Sequence, residues 1–328
     1  MYFLGIEIGG TKLQLGIGPG DGTLAGLWRE TVDVAAGPEG IRGQISRAIP
    51  ELLAKTAIDR SQLGGIGIGF GGPVDDTAHT IIKSHQIEGW DNFPLEQWIS
   101  DLAGMPAALG NDADCAGLAE ALFGAGKGLS PIFYITIGSG IGGGLIVNGQ
   151  IYRGVGRGAA EIGHVRVPIS SQSGFRPTIL EKVASGWGIE AQARSLAVDP
   201  KRAKKVLELA NGNAGQITAM HVAMAAGAGD EFALFLLEQA WDSLAEGICH
   251  VVALLCPRRI IIGGGVSLIG EKLLFDPVRR LVAERVFKPF AGCFDICPAA
   301  LGEEVVVHGA LALARQKLNN TSCPTPRP

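Results

Sequence analysis

No two cysteines in this chain stand in a Cys-x-x-Cys pair; the six lie scattered at positions 115, 249, 256, 293, 297 and 323. That spacing excludes a thiolate zinc ribbon and a dithiol redox motif, and free thiols in a reducing cytosol are expected. The first residues, Met1-Tyr-Phe-Leu-Gly-Ile-Glu7, lack a basic start followed by a long apolar region, so no secretory leader is expected. Charge is scarce too, 18% of residues with a net of -4, which gives no field for nucleic acid. The one basic cluster, Lys201-Arg202 with Lys204-Lys205, reads as a solvated helix face. An unbroken apolar span is also missing. The longest uncharged run, residues 128–152, carries glycines at 138, 140, 142, 143, 144 and 149, which no membrane-crossing helix of that length would hold. A cytoplasmic protein with no membrane and no nucleic-acid partner is the expectation.

What remains is a chain of 328 residues, 47% hydrophobic, long enough for two cores. Residues 2–8, 13–17 and 24–32 read as a strand meander joined at Gly9-Gly10-Thr11-Lys12 and Pro19-Gly-Asp-Gly22. Apolar positions 41, 45, 48, 49, 52 and 53 predict a helix over 41–57, followed by a buried strand, Ile66-Gly-Ile68-Gly-Phe70, ending in Gly71-Gly72-Pro73. Residues 94–102 predict another helix. Past Pro131 the pattern restarts: Ile135-Thr-Ile137-Gly138-Ser139-Gly140 overlays Ile6-Glu-Ile8-Gly9-Gly10-Thr11 without a gap. After a helical segment over 233–255, Ile260-Ile-Ile262-Gly263-Gly264-Gly265 echoes the strand from Ile66. An α/β protein of two similar halves follows, with a last helix over 304–318 packed back on the first half.

Three glycine turns in this register carry chemistry. Gly9, Gly10, Thr11 and Lys12 form a nest for an anion, with a hydroxyl and a charge added; Gly138, Ser139 and Gly140 do the same from the other half. The second turn also fits G-x-G-x-x-G, but a strand follows it instead of a helix, so a nicotinamide or flavin site is rejected. Two phosphate turns with Gly263, Gly264 and Gly265 near the base or ribose suit a nucleoside triphosphate held across a cleft. Between them stands Ala108-Leu-Gly-Asn111-Asp112, a strand, a polar turn and the start of a helix. Asn111 is placed to cap that helix and Asp112 to stand at its positive end as a candidate base.

Together these motifs resemble the ROK family of sugar kinases and repressors, within the actin and hexokinase superfamily, over residues 4–318. Glu7-Ile-Gly-Gly-Thr-Lys12 is similar to the family's first phosphate motif, residues 135–144 to its second, and residues 260–267 to its adenosine motif. Gly110-Asn111-Asp112 and Glu161-Ile-Gly-His164 are similar to its sugar motifs. The resemblance implies two ribonuclease H-like, actin-like ATPase domains with a cleft between them. Their expected extents are 1–115 with 304–318, then 116–303, and a disordered tail at 319–328. It implies an ATP-dependent hexose kinase, magnesium as cofactor, Asp112 as the base acting on a sugar hydroxyl, O6 first, and a homodimer. Sugar contacts fall to Gly72, Asn111, Asp112, Glu161, His164 and Glu181. Closure of the halves is expected to exclude water, hinged near residues 111–116 and before the last helix.

Two departures stand out. The family usually has Asp where this chain has Glu7, which keeps the charge one methylene longer and is expected to reach magnesium through water. The family's zinc loop follows the histidine of the Gly-His pair, yet no cysteine lies between His164 and Glu181, so no structural zinc is expected and packing through Phe175 and Pro177 should hold the loop. The rival reading is a catalytically silent sugar-binding or regulatory protein. A built-in helix-turn-helix reader is not expected, since six residues precede Glu7.

Overall fold

The computed structural model of the protein describes residues 1–84, 87–171 and 174–322. Strands β1 (Tyr2–Ile8), β2 (Lys12–Gly18) and β3 (Gly26–Thr31) pair antiparallel as the expected meander. Helix α1 (Gly37–Thr56) leads to β4 (Leu63–Phe70), the small hairpin β5 (Val74–Asp75) and β6 (Thr80–Ile81), then α2 (Leu95–Ala103), β7 (Ala107–Asn111) and α3 (Asp112–Leu122). Strand β4 runs parallel to β1, and β7 parallel to β4, so the sheet order is β3-β2-β1-β4-β7.

The same plan returns in β8 (Ile132–Ile137), β9 (Ile141–Val147) and β10 (Gln150–Ile151). A hairpin of β11 (Arg166–Ser171) and β12 (Gly174–Ile179) follows, with helices α4 (Glu181–Ala184), α5 (Gly186–Leu196), α6 (Lys204–Leu209), α7 (Ala219–Gly227) and α8 (Glu231–Leu255). Then come β13 (Arg259–Gly263), α9 (Asp276–Arg285), β14 (Asp295–Pro298) and the last helix, α10 (Val305–Ser322). The second sheet reads β10-β9-β8-β13-β14, the first order repeated position for position. Register repeats as well: Ile6 lies opposite Ile68 in one sheet, and its counterpart Ile135 opposite Ile262 in the other.

The chain divides into two compact units, residues 1–130, 144–159 and 300–328 in the first, 131–143 and 160–299 in the second. The expected boundary at 115/116 therefore falls inside α3, which stays whole in the first unit. Its reason is packing: a side-chain carbon at Gly309 of α10 would land on the Cys115 carbonyl, so the two helices touch backbone to backbone. The return to the first unit also comes earlier than residue 304. Glu120 of α3 is fully buried and its Oε1 accepts from the Ala300 and Leu301 amides at 2.8 and 2.9 Å, tying that return to α3.

Alternation in β4 explains how α10 fits. Ile66, Ile68 and Phe70 are buried in the core shared with Ile41, Ile45 and Leu52 of α1. On the opposite face Gly67 has no room for a side chain, because the Ala310 backbone of α10 lies where one would be. Strict alternation of a bulky and an absent side chain thus makes one face a core and the other a seat for a helix. The last helix packs on the first unit as expected, but it continues to Ser322, so residues 319–322 are helical where a tail was expected. Residues 323–328 lie outside the described ones. No single helix among the described residues is long and apolar enough to cross a membrane.

Candidate functional site

Parallel strands β1, β4 and β7 end side by side, and their carboxyl ends carry Glu7 to Gly9, Gly71 with Gly72, and Asn111 with Asp112. In open α/β sheets that end is where ligands bind. Asn111 caps α3: its Oδ1 accepts from the Ala113 and Asp114 amides at 2.8 and 3.3 Å. Its Nδ2 donates to the Gly72 carbonyl at 3.0 Å, which locks the amide to the neighbouring strand end. Asp112 is half-buried at the first position of α3, where the unpaired amides favour a carboxylate, and its Oδ1 accepts from Ala113 at 2.8 Å. Around Gly71 the place a side chain would fill lies 3.5 Å from both Asp112 Oδ2 and the Gly9 Cα. With no side chain, Gly71 lets β4 end close to the carboxylate, the Ile8 carbonyl and the first glycine turn. Gly71 was not among the residues expected at the site; the signal for it was its place directly after a buried strand.

Glu7 is buried and sits opposite Gln14 in the β1–β2 ladder. Gln14 Nε2 donates to its Oε2 at 2.7 Å, and the Lys12 ammonium lies 3.2 Å from Oε1. The buried carboxylate is therefore paired. Burial pushes the Glu7 carboxyl up, against the downward pull of Lys12, Gln14 and Arg29. Lys12, expected on phosphate, also donates to the Glu303 carbonyl at 3.1 Å, and Gln14 does so at the same distance. Arg29 closes the network on Gln14 Oε1, Glu303 and Glu304.

In the second unit Glu181 and the turn at Gly163 both meet Ile141, directly after the second glycine turn. Glu181 Oε2 accepts from the Ile141 amide at 2.9 Å, and a side chain at Gly163 would land on the Ile141 carbonyl. Glu181 also explains Gly140, where a side chain would come within 2.5 Å of its Oε2. Glu161 and His164 flank a short turn and are both exposed, with His164 Nδ1 4.0 Å from Glu161 Oε2. Gly138 and Ser139 receive the start of α5: Gly186 donates to the Gly138 carbonyl at 2.8 Å and Trp187 to that of Ser139 at 3.2 Å. Gly264 has φ +84 and packs on β8, a side chain there meeting the Ile137 carbonyl at 2.5 Å.

A cavity of about 340 Å³ opens beside this turn, bounded by Ser139, Trp187, Met220, Val266 and Ile269. Apolar walls next to a glycine turn suit a purine with its phosphates on the turn. Trp187 and Met220 were not expected here, because their helices carry no motif and meet the turn only in the fold. A magnesium ion takes few protein carboxylates beside phosphate oxygens, and Glu7 is a hard oxygen donor of that type. No cluster of three or more His, Cys, Asp or Glu is found among the described residues.

A family model described as "ROK family" matches residues 3–317. A glucokinase of Thermotoga maritima is 31% identical over 97% of this chain and 98% of its own. A ROK family glucokinase from Streptomyces griseus, solved in complex with glucose and AMPPNP, is 30% identical; the match covers 96% of this chain and all of that one with a TM-score of 0.77. A xylose repressor of Caldicellulosiruptor bescii is 26% identical over 76% of this chain and 62% of its own. The two-sheet α/β build is that of the actin-like ATPase fold.

Proposed function

The chain belongs to the ROK family, and from that premise we propose that it is an ATP-dependent kinase transferring the γ-phosphoryl group to a hexose hydroxyl, O6 of glucose or a close relative. What carries the reading is Asp112, a carboxylate at a helix start that meets the Gly9 turn across the side-chain-free Gly71. Asp112 takes the proton of the attacking hydroxyl. Asn111 holds the strand ends in register and faces a sugar hydroxyl together with Gly72. Glu161, His164 and Glu181 bind further hydroxyls, since carboxylates and imidazole match the donor and acceptor pattern of a pyranose. Trp187 and Met220 bind the adenosine and the turn at Gly138 its phosphates; the Gly9 turn is the phosphate-binding element of the first unit. Glu7 would hold magnesium on the nucleotide side through a water, and the ion when bound would supply positive charge to the phosphoryl oxygens.

Release of ADP measured with a panel of hexoses tests this directly. Turnover with at least one sugar is expected. Sugar binding with no ADP formed from any member of the panel would favour the silent, regulatory reading.

A further inference from the structure

On the outer edge of β7 lies a second cleft, of about 360 Å³, in the first unit. Strand β7 ends the sheet, so Ala107 and Leu109 turn their free backbone groups outward. Two charged side chains cover them. Glu96 Oε2 accepts from the Leu109 amide at 2.9 Å, and the Lys317 ammonium donates to the Ala107 carbonyl at 2.5 Å and pairs with Glu96 Oε1 at 2.6 Å. His79 adds a contact of 3.2 Å to Glu96, and Arg153 pairs with Asp76.

The charges in this cleft are not evenly presented. Both carboxylates, Asp76 and Glu96, are 13% exposed, while His79, Lys317 and Arg153 are 56%, 37% and 27% exposed. The acids therefore lie behind and the donors in front. Arg153 is the most telling: among the described residues Asp76 is the one polar partner of its side chain, through Nη1, so the remaining N–H groups of a planar fork are unused. His79 holds φ +57, a left-handed conformation that a histidine adopts at a cost, and it presents its ring at the cleft.

We propose that this cleft binds a small oxyanion, a phosphate or carboxylate on a body of about hexose size, through the Arg153 fork with His79 and Lys317. A guanidinium fork and the Lys317 ammonium recognise that chemistry, with the polar His79 ring beside them. The site is built into the catalytic strand. Gly110, directly before Asn111, has no side chain on the side of Arg153, whose Nη2 lies 3.9 Å from where one would be. An occupant that draws Arg153 outward thus acts one residue from the pair that carries Asp112.

Calorimetry on the full-length protein, with inorganic phosphate, a hexose 6-phosphate and succinate as separate probes, tests the proposal. A saturating non-hydrolysable ATP analogue keeps the anion off the glycine turns. The wild type is expected to bind at least one probe in the millimolar range or tighter, and the preferred probe tells phosphate from carboxylate. Arg153→Met should weaken that binding on the order of 10- to 100-fold, the usual worth of charge-assisted hydrogen bonds. Because Arg153→Met strands Asp76, the double variant with Asp76→Asn and the exposed His79→Asn are measured beside it, and both should weaken binding as well. No heat with any probe, or undiminished affinity in the three variants, overturns the proposal. Binding is read without turnover, so it stands or falls independently of the role given to Asp112.

Discussion

Asp112 and Glu7 sit on strand ends separated by one strand and meet opposite surroundings. Asp112 is half-buried at a helix start, which suits a charged base; Asp112→Asn is expected to keep sugar affinity within a few fold while turnover falls roughly 10²- to 10⁴-fold. Single-turnover kinetics with equilibrium sugar binding checks both halves. Glu7 is buried between Lys12 and Gln14, and burial outweighs pairing, so its carboxyl titrates above the usual range. A raised value in the folded state means the neutral form suits the fold. Its stabilisation is complete below the ordinary carboxylate range, about pH 4, and is lost as pH rises through the raised value. Glu7→Gln, a mimic of the neutral form, should therefore melt above the parent at pH 7, with the gap closing toward pH 4, while needing more magnesium for half-maximal rate. A variant that melts lower at pH 7 would show the Lys12 pair to outweigh burial. Asn111 and Asp112 were legible because a strand, a polar pair and a helix followed one another directly. The Lys12–Glu7–Gln14 group was not, since Gln14 meets Glu7 only once the three-residue turn has set the register.

Among the elements, β7 depends on α2. Glu96 supplies an acceptor to the outward Leu109 amide, two residues ahead of Asn111, so Glu96→Ala is expected to cost about 1–3 kcal/mol of stability and to lower turnover more than it changes ATP affinity. Glu96→Gln, which keeps an acceptor there, should recover most of the turnover; denaturant unfolding beside kinetics separates the two effects. Nothing in the sequence near Leu109 points to Glu96, because edge strands are covered by groups distant in the chain. Where the family's zinc loop would lie, β11 and β12 pair from Arg166 opposite Ile179 to Ser171 opposite Gly174. Ladder hydrogen bonds hold this segment, rather than the packing alone that the sequence suggested; the side chain of Phe175 lies outside the described ones. Chelation should leave the melting curve unchanged, and stoichiometric zinc whose removal unfolds the chain would contradict that. The hairpin was hidden because Pro168 and Pro177, opposite each other, argue against strands by propensity.

At the scale of the whole molecule, the two-sheet plan was readable because each repeat carries the same glycine-terminated strands, whereas the division between units was not, since it depends on backbone contacts such as Gly309 on Cys115. The first unit is assembled from three separate pieces of chain, the last of them α10. A ribosome delivers these pieces in order, N-terminal first. The second unit has all its strands and helices by residue 299, but the seat prepared by Gly67 stays empty until residues 305–322 have emerged. The part of the chain that holds Asp112 is thus the first to be made and the last to be finished. A chain stopped at residue 304 should show this under limited proteolysis: fragments from 160–299 persist while residues 1–130 are cut. Equal protection of both would mean that α10 closes a core already formed. Otherwise the protein carries its own safeguard of synthesis, in which a prematurely ended copy can fold its second unit yet never completes the sheet that carries Asp112.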